Sequence, residues 1–276
     1  MKNYLKLVHF EVNRFFKLYV IIMGLTIVSQ IIGVIFESKA YLENTKRIMF
    51  ENQLSFSEFI GEGYRGSPFD QFVNSGWALL PVFMCIVILM LYVFFIWYRD
   101  WFAKNTFIYR LLLLPTNRLT IYFAKMTTIL LFVFGLIALQ LILIPIELQI
   151  MNGIIPVDYR TNFSIYELFY FDLWTMLYPT TFMKFILSYG VGLICVAVLF
   201  TSILIERSFR LKGIFFAIVY GVLSFFVLIV PIFLMSLYPN YFYPLELLTI
   251  AFIISSIVLG IAIWLASYLL KYKITV

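Results

Sequence analysis

Long uncharged stretches dense in Leu, Ile, Val and Phe alternate along this chain with short segments that carry nearly all of its charge. A helix that crosses a bilayer needs about 20 mostly apolar residues. Six stretches reach that length: 19 residues between Lys17 and Glu37, 28 between Asp70 and Arg99, 21 between Lys125 and Glu147, 21 between Lys184 and Glu206, 33 between Lys212 and Glu246, and 24 between Glu246 and Lys271. They predict transmembrane helices near 18–36, 77–98, 124–147, 184–205, 213–236 and 246–270. The fifth stretch exceeds one crossing, but Pro231, Pro239 and Pro244 break its second half, so it reads as one helix followed by an apolar outer loop able to re-enter the bilayer. No small-residue cleavage site follows the first stretch, which is therefore expected to be an anchor and not a removed signal peptide.

A different period precedes the first crossing. Lys2, Lys6, His9, Asn13 and Lys17 recur at spacings of 4, 3, 4 and 4, while Tyr4, Leu5, Val8, Val12, Phe15 and Phe16 fill the other face. That pattern predicts an amphipathic helix over 1–17 lying on the inner membrane face, the alternative being a basic extension of the first crossing. The remaining 18–276 form the six-helix domain. Its outer loops are 37–76, with a turn-rich Gly61–Pro68 centre, and 148–183, whose Tyr166, Phe169, Tyr170, Phe171 and Trp174 suit a helix at the membrane–water boundary. Asn162-Phe163-Ser164 matches a glycosylation acceptor. The fold class expected is all-α and polytopic, with six transmembrane helices and both termini cytoplasmic.

Composition strengthens this reading. Residues are 63% hydrophobic and only 12% charged, and mean hydropathy is +1.00, which excludes both a water-soluble domain and a disordered chain. Cys85 and Cys195 lie in apolar runs and read as small buried hydrophobes.

Charge placement sets the orientation. With the N-terminus inside, 14 of the 20 basic residues fall on the inner segments 1–17, 99–125, 206–212 and the C-terminal tail, against only Glu11, Asp100 and Glu206 among the acids. The outer side holds 6 basic and 11 acidic residues. This is the positive-inside distribution of an even number of crossings, and it accounts for the basic charge without nucleic acid.

Chemistry-bearing patterns are scarce. The single histidine, His9, lies outside every crossing, and no HExxH, GxSxG or GxxxxGK[ST] occurs, so the chain is not expected to be an enzyme or to bind ATP by a phosphate loop. No ionisable residue lies inside the apolar cores, and Glu147 and Glu246 read as boundary charges that water reaches. The embedded polar groups are neutral. Gln30, Gln140, Thr201, Ser202 and similar residues are expected to bond to helix backbone.

The inner loop 99–125 is unusual. Asn105 or Thr106 can cap a short leucine-rich helix that Pro115 is expected to end, and Thr116 or Asn117 can cap the next helix, expected to run on as the third crossing. A greasy helix of about ten residues beneath a membrane needs cover from lipid headgroups or a partner protein.

The run YRLLLLPTNRLTIYFAKM, together with this order of elements, resembles the permease subunits of bacterial type-2 ATP-binding-cassette exporters. In that family the leucine-rich helix is a coupling helix that docks in a separate ATPase subunit. The resemblance implies that Tyr109, Arg110, Leu111, Leu112, Leu113, Leu114, Pro115, Asn117, Arg118 and Lys125 lie at or beside the ATPase interface. Glu206, Arg207 and Arg210 would form a second contact. It also implies a second permease chain, the same or related, no cofactor on this chain, ATP and Mg on the partner, and a multi-pass place in a bacterial cell membrane. The cargo expected is amphipathic: an antimicrobial or toxic peptide, or a lipid-like molecule. The alternatives are an ion-coupled secondary transporter and a non-transporting scaffold or sensor subunit.

Overall fold

The computed structural model describes residues 2–52, 67–102, 117–161, 163–164, 167, 172–238, 241 and 243–274. Its described residues form helices and no strand: α1 (Lys2–Glu51), α2 (Pro68–Val73), α3 (Gly76–Phe102), α4 (Arg118–Ile154), α5 (Asp172–Leu177), α6 (Phe182–Leu237) and α7 (Pro244–Tyr268), with a π-helical turn at Leu269–Lys273. Six helical segments are long and apolar enough to cross a membrane: Asn3–Glu51, Pro68–Phe102, Arg118–Ile154, Phe182–Phe209, Lys212–Leu237 and Leu245–Lys273. The protein is an all-α, multi-pass membrane protein.

Several boundaries differ from the sequence expectation. The helix of residues 2–17 does not end before the first crossing, because α1 runs unbroken to Glu51 and takes in the start of the outer loop. Nothing in 2–51 compels a break, since the segment holds no proline and only Gly24 and Gly33. Helix α4 likewise continues past Glu147 to Ile154. Pro231 lies inside α6, whereas Pro244 occupies the first turn of α7, where its missing N–H costs nothing. Of the apolar outer segment between them, residues 239, 240 and 242 lie outside the described residues, as do Gly61–Gly66, Asn162, Tyr166 and 168–171.

The chain divides into two compact units. One comprises Arg14–Leu89 and Leu131–Thr180. Within it α1 buries Phe15, Tyr19, Ile22, Thr26, Gln30, Val34, Ser38, Tyr41 and Thr45, one side chain every three or four residues and hence one face of the helix. Polar members of that face donate to backbone carbonyls, although the buried Oε1 of Gln30 has no partner among the described residues. Gln30 donates to the Ala78 carbonyl at 3.3 Å, Ser38 to Val34 and Tyr41 to the Tyr159 carbonyl. Ser67 caps α2 by accepting from the Asp70 N–H, and that short helix inserts Phe69, Phe72 and Val73 into a core with Val34, Val82, Ile144, Met151 and Trp174. Tyr19 reaches α4, where its hydroxyl donates to the Phe132 carbonyl at 3.1 Å and lies where a side chain on Gly135 would stand.

The other unit comprises Met1–Asn13, Met90–Leu130 and Thr181–Val276. Here α6 is a hairpin. A Cβ on Gly213 would lie 2.5 Å from the Glu206 carbonyl oxygen and 2.8 Å from that of Ile205, so the backbone doubles back at this point and only glycine fits. The two arms then lie side by side: Gly221 faces Ser202, and Tyr220 and Leu228 pack on Ile194 and Val198 together with Val258 of α7. Thr201 fastens α6 to α7, donating at 2.8 Å to Ala197 and at 3.1 Å to Ala262. Thr201 and Ser202, like Gln30, thus bond to helix carbonyls as expected, whereas the buried Gln140 Nε2 has no partner among the described residues, contrary to its reading. Cys195 is exposed on α6, contrary to its reading as buried, whereas Cys85 is buried against Thr26.

Candidate functional site

In the second unit, the end of α3, the start of α4, the bend of α6, the N-terminal segment and the C-terminal turn are joined by charge. Lys125 is the centre. Its Nζ donates to Glu11 Oε1 at 2.7 Å, to the Ile96 carbonyl at 3.0 Å and to the Asp100 carboxylate. Arg99 completes the set with a 2.9 Å bond to Glu11 Oε2. Among the described contacts two cations meet two anions. Lys125 and Asp100 are 0% exposed and Glu11 2%.

Local sequence explains how four charges come inside. Glu11 shares the buried face of α1 with Val8, three residues before it. Asp100 is one turn beyond Trp97 and Ile96, both fully buried. The Trp97 ring lies 5.2 Å from Lys125 Nζ and meets Phe200 edge-on at 5.6 Å, and Tyr122 packs beside it and donates to the Ala197 carbonyl at 3.0 Å. Aromatic packing thus excludes water from the ion network, which makes each of its bonds stronger and each broken bond more costly.

A second knot joins α3 to the bend of α6. Tyr98 donates to the Glu206 carboxylate, and the Arg207 guanidinium lies 4.8 Å from the Tyr98 ring and 4.6 Å from that of Phe102. Arg207 is therefore held by aromatic faces as well as by its neighbour Glu206. On α4, Asn117 accepts from the Leu119 N–H as the helix cap, and Arg118 donates to the Leu270 and Ile274 carbonyls, the latter at 2.9 Å.

The residues singled out in the sequence therefore have different places. Tyr109, Arg110, Leu111 to Leu114 and Pro115 lie outside the described residues, as does the Arg210 side chain. Asn117 is exposed, Arg118 and Arg207 are half-buried, and Lys125 is enclosed, its ammonium directed at Glu11 and Asp100 rather than outward. Glu11, Trp97, Tyr98, Arg99 and Asp100 were not recognised as partners. The available signal was that Glu11, Asp100 and Glu206 are the only acids in an otherwise basic band, a setting in which each acid finds a cation.

Glu147 corrects the reading of boundary charges. It is 1% exposed, inside α4 rather than at its end, and its Oε1 has no hydrogen-bond partner. The buried face that includes Ile144 and Met151 carries it inward. Glu246 keeps its expected place, exposed at the start of α7, where it accepts from the Tyr243 N–H at 3.0 Å. Among the described residues no group of three or more His, Cys, Asp or Glu is placed to hold a metal ion. Comparison with protein families, curated proteins and solved structures finds no match to this chain.

Proposed function

We propose that this chain is the permease subunit of an ATP-driven exporter in a bacterial cell membrane, working with a separate ATPase that binds ATP and Mg and with a second permease chain. The observation that carries the reading is the run YRLLLLPTNRLTIYFAKM together with the bracing of its flanks. Arg99 and Asp100 precede segment 103–116, Lys125 follows it, and one buried ammonium ties both sides to the N-terminal helix. A docking element needs rigid roots, because a push from a motor is lost in a compliant hinge and reaches the crossings only through a stiff one.

In this reading Arg110 and the leucines of 111–114 contact the ATPase, and Glu206 and Arg207 border that contact. Lys125 and Arg118 stiffen the base. The cargo is amphipathic, an antimicrobial or toxic peptide or a lipid-like molecule, because the crossings present broad apolar faces such as that of Phe215, Phe216, Val222, Phe226 and Phe233. The test is co-purification in mild detergent with a candidate ATPase subunit from the same cell, followed by export in vesicles. Arg110→Glu with Leu112→Glu should release the ATPase and abolish ATP-dependent export; export that survives both changes overturns the reading.

The buried Lys125, Glu11 and Asp100 favour one rival, an ion-coupled carrier, since ionisable groups within membrane proteins commonly mark ion paths. Accumulation of cargo driven by a sodium or proton gradient without ATP would decide for it.

A further inference from the structure

The last turn of the chain presents a structured surface that the proposed export function does not use. Trp264, Tyr268 and Tyr272 are spaced four residues apart, so they line one side of α7 and the turn after it, with successive ring centroids 6.3 and 5.3 Å apart. All three are exposed, at 68, 44 and 59%. Two exposed lysines end the row. Lys271 Nζ lies 5.2 Å from the Tyr272 ring and Lys273 Nζ 5.8 Å from that of Phe209.

This surface is built. Leu269, Leu270 and Ile274 are buried, and Arg118 holds the Leu270 and Ile274 carbonyls, so the outward residues between them are fixed in direction. Among the described residues of this unit, no carboxylate side chain pairs with these lysines. The acids of this unit are Glu11, Asp100, Glu206 and Glu246. Glu11 and Asp100 are spent on Lys125 and Arg99, Glu206 accepts from Tyr98, and Glu246 stands at the opposite end of α7.

We propose that this collar binds the headgroup of an anionic phospholipid, with Lys271 and Lys273 on the phosphate and the Trp264–Tyr268–Tyr272 row against the upper acyl chain. Aromatic side chains settle at the level where tail meets headgroup, and lysines just beyond them meet the anionic surface of the inner leaflet. The lysine distribution puts this end of α7 on that leaflet.

The experiment uses the full-length protein in phosphatidylcholine vesicles doped with acyl-brominated phosphatidylglycerol or, separately, acyl-brominated phosphatidylcholine. Bromine quenches tryptophan on contact, and Trp264→Phe supplies the background to subtract. The phosphatidylglycerol probe should quench Trp264 several-fold more strongly than the phosphatidylcholine probe. Lys271→Gln with Lys273→Gln should erase that preference, each lysine contributing about fivefold, and high salt should do the same. Equal quenching by the two lipids overturns the proposal, as does a preference that survives the double substitution.

Discussion

The Lys125 ammonium lies 2.7 Å from the Glu11 carboxylate, joining the start of α4 to the first helix across 114 residues of sequence. Neither side chain reaches solvent. The pair is bonded further to Asp100 and Arg99, so the loss of one member strands the others.

Lys125→Met should therefore lower stability by about 3–5 kcal/mol, the usual cost of leaving a buried charge without its partner. Removing Asp100 as well, as Asn, takes away the opposite charge that Lys125 had paired and should return a substantial part of that loss. Denaturant unfolding in detergent of both single variants and the pair measures the coupling, which should exceed about 1 kcal/mol.

Gly213 and Gly221 should respond in opposite ways. An alanine at 213 meets two backbone carbonyls that have nowhere to move, and should cost about 3 kcal/mol or more, seen as loss of monodisperse protein. At 221 the added methyl makes ordinary contact with Ser202 Oγ at 3.6 Å, and the gain in helix propensity of about 1 kcal/mol should leave the melting temperature unchanged or raised.

Gly135→Ala should destabilise by about 1–3 kcal/mol, because the new methyl competes for the space of the Tyr19 hydroxyl. Tyr19→Phe alone loses one hydrogen bond to the Phe132 carbonyl, about 1 kcal/mol. Combined, the two changes should cost less than their sum, since losing the hydroxyl makes room for the alanine. Thermal melts of the three variants decide this.

Glu147→Leu should gain stability by about 1–3 kcal/mol, the cost of a buried polar group that lacks a bond. If the same variant loses export, the carboxyl is retained for work rather than for folding. A melting temperature that falls would place an unseen partner at Oε1.

The crossings were legible because absence of charge over some twenty residues is a property of composition and needs no tertiary information. The gaps beginning at Lys17, Asp70, Lys125, Lys184, Lys212 and Glu246 each correspond to a helical segment. Helix ends were less legible. Glu147 and Pro231 read as terminators by residue type, yet a helix packed on its neighbours continues through both. The candidate site was legible only as a loop. Asn117 reads as a cap from its type and position, but the meeting of Glu11, Asp100 and Lys125 depends on three helix faces turning toward one another. A positive-inside count treats each of those residues as a signed charge and loses its direction.

The doubling-back of α6 at Gly213 bears on how the protein enters its membrane. With no slack between Ile205 and Gly213, the legs on either side of this elbow are tied to opposite directions of crossing, so the direction taken by the first dictates that of the second. A spacer inserted at this elbow would uncouple the legs and let the second choose its own direction.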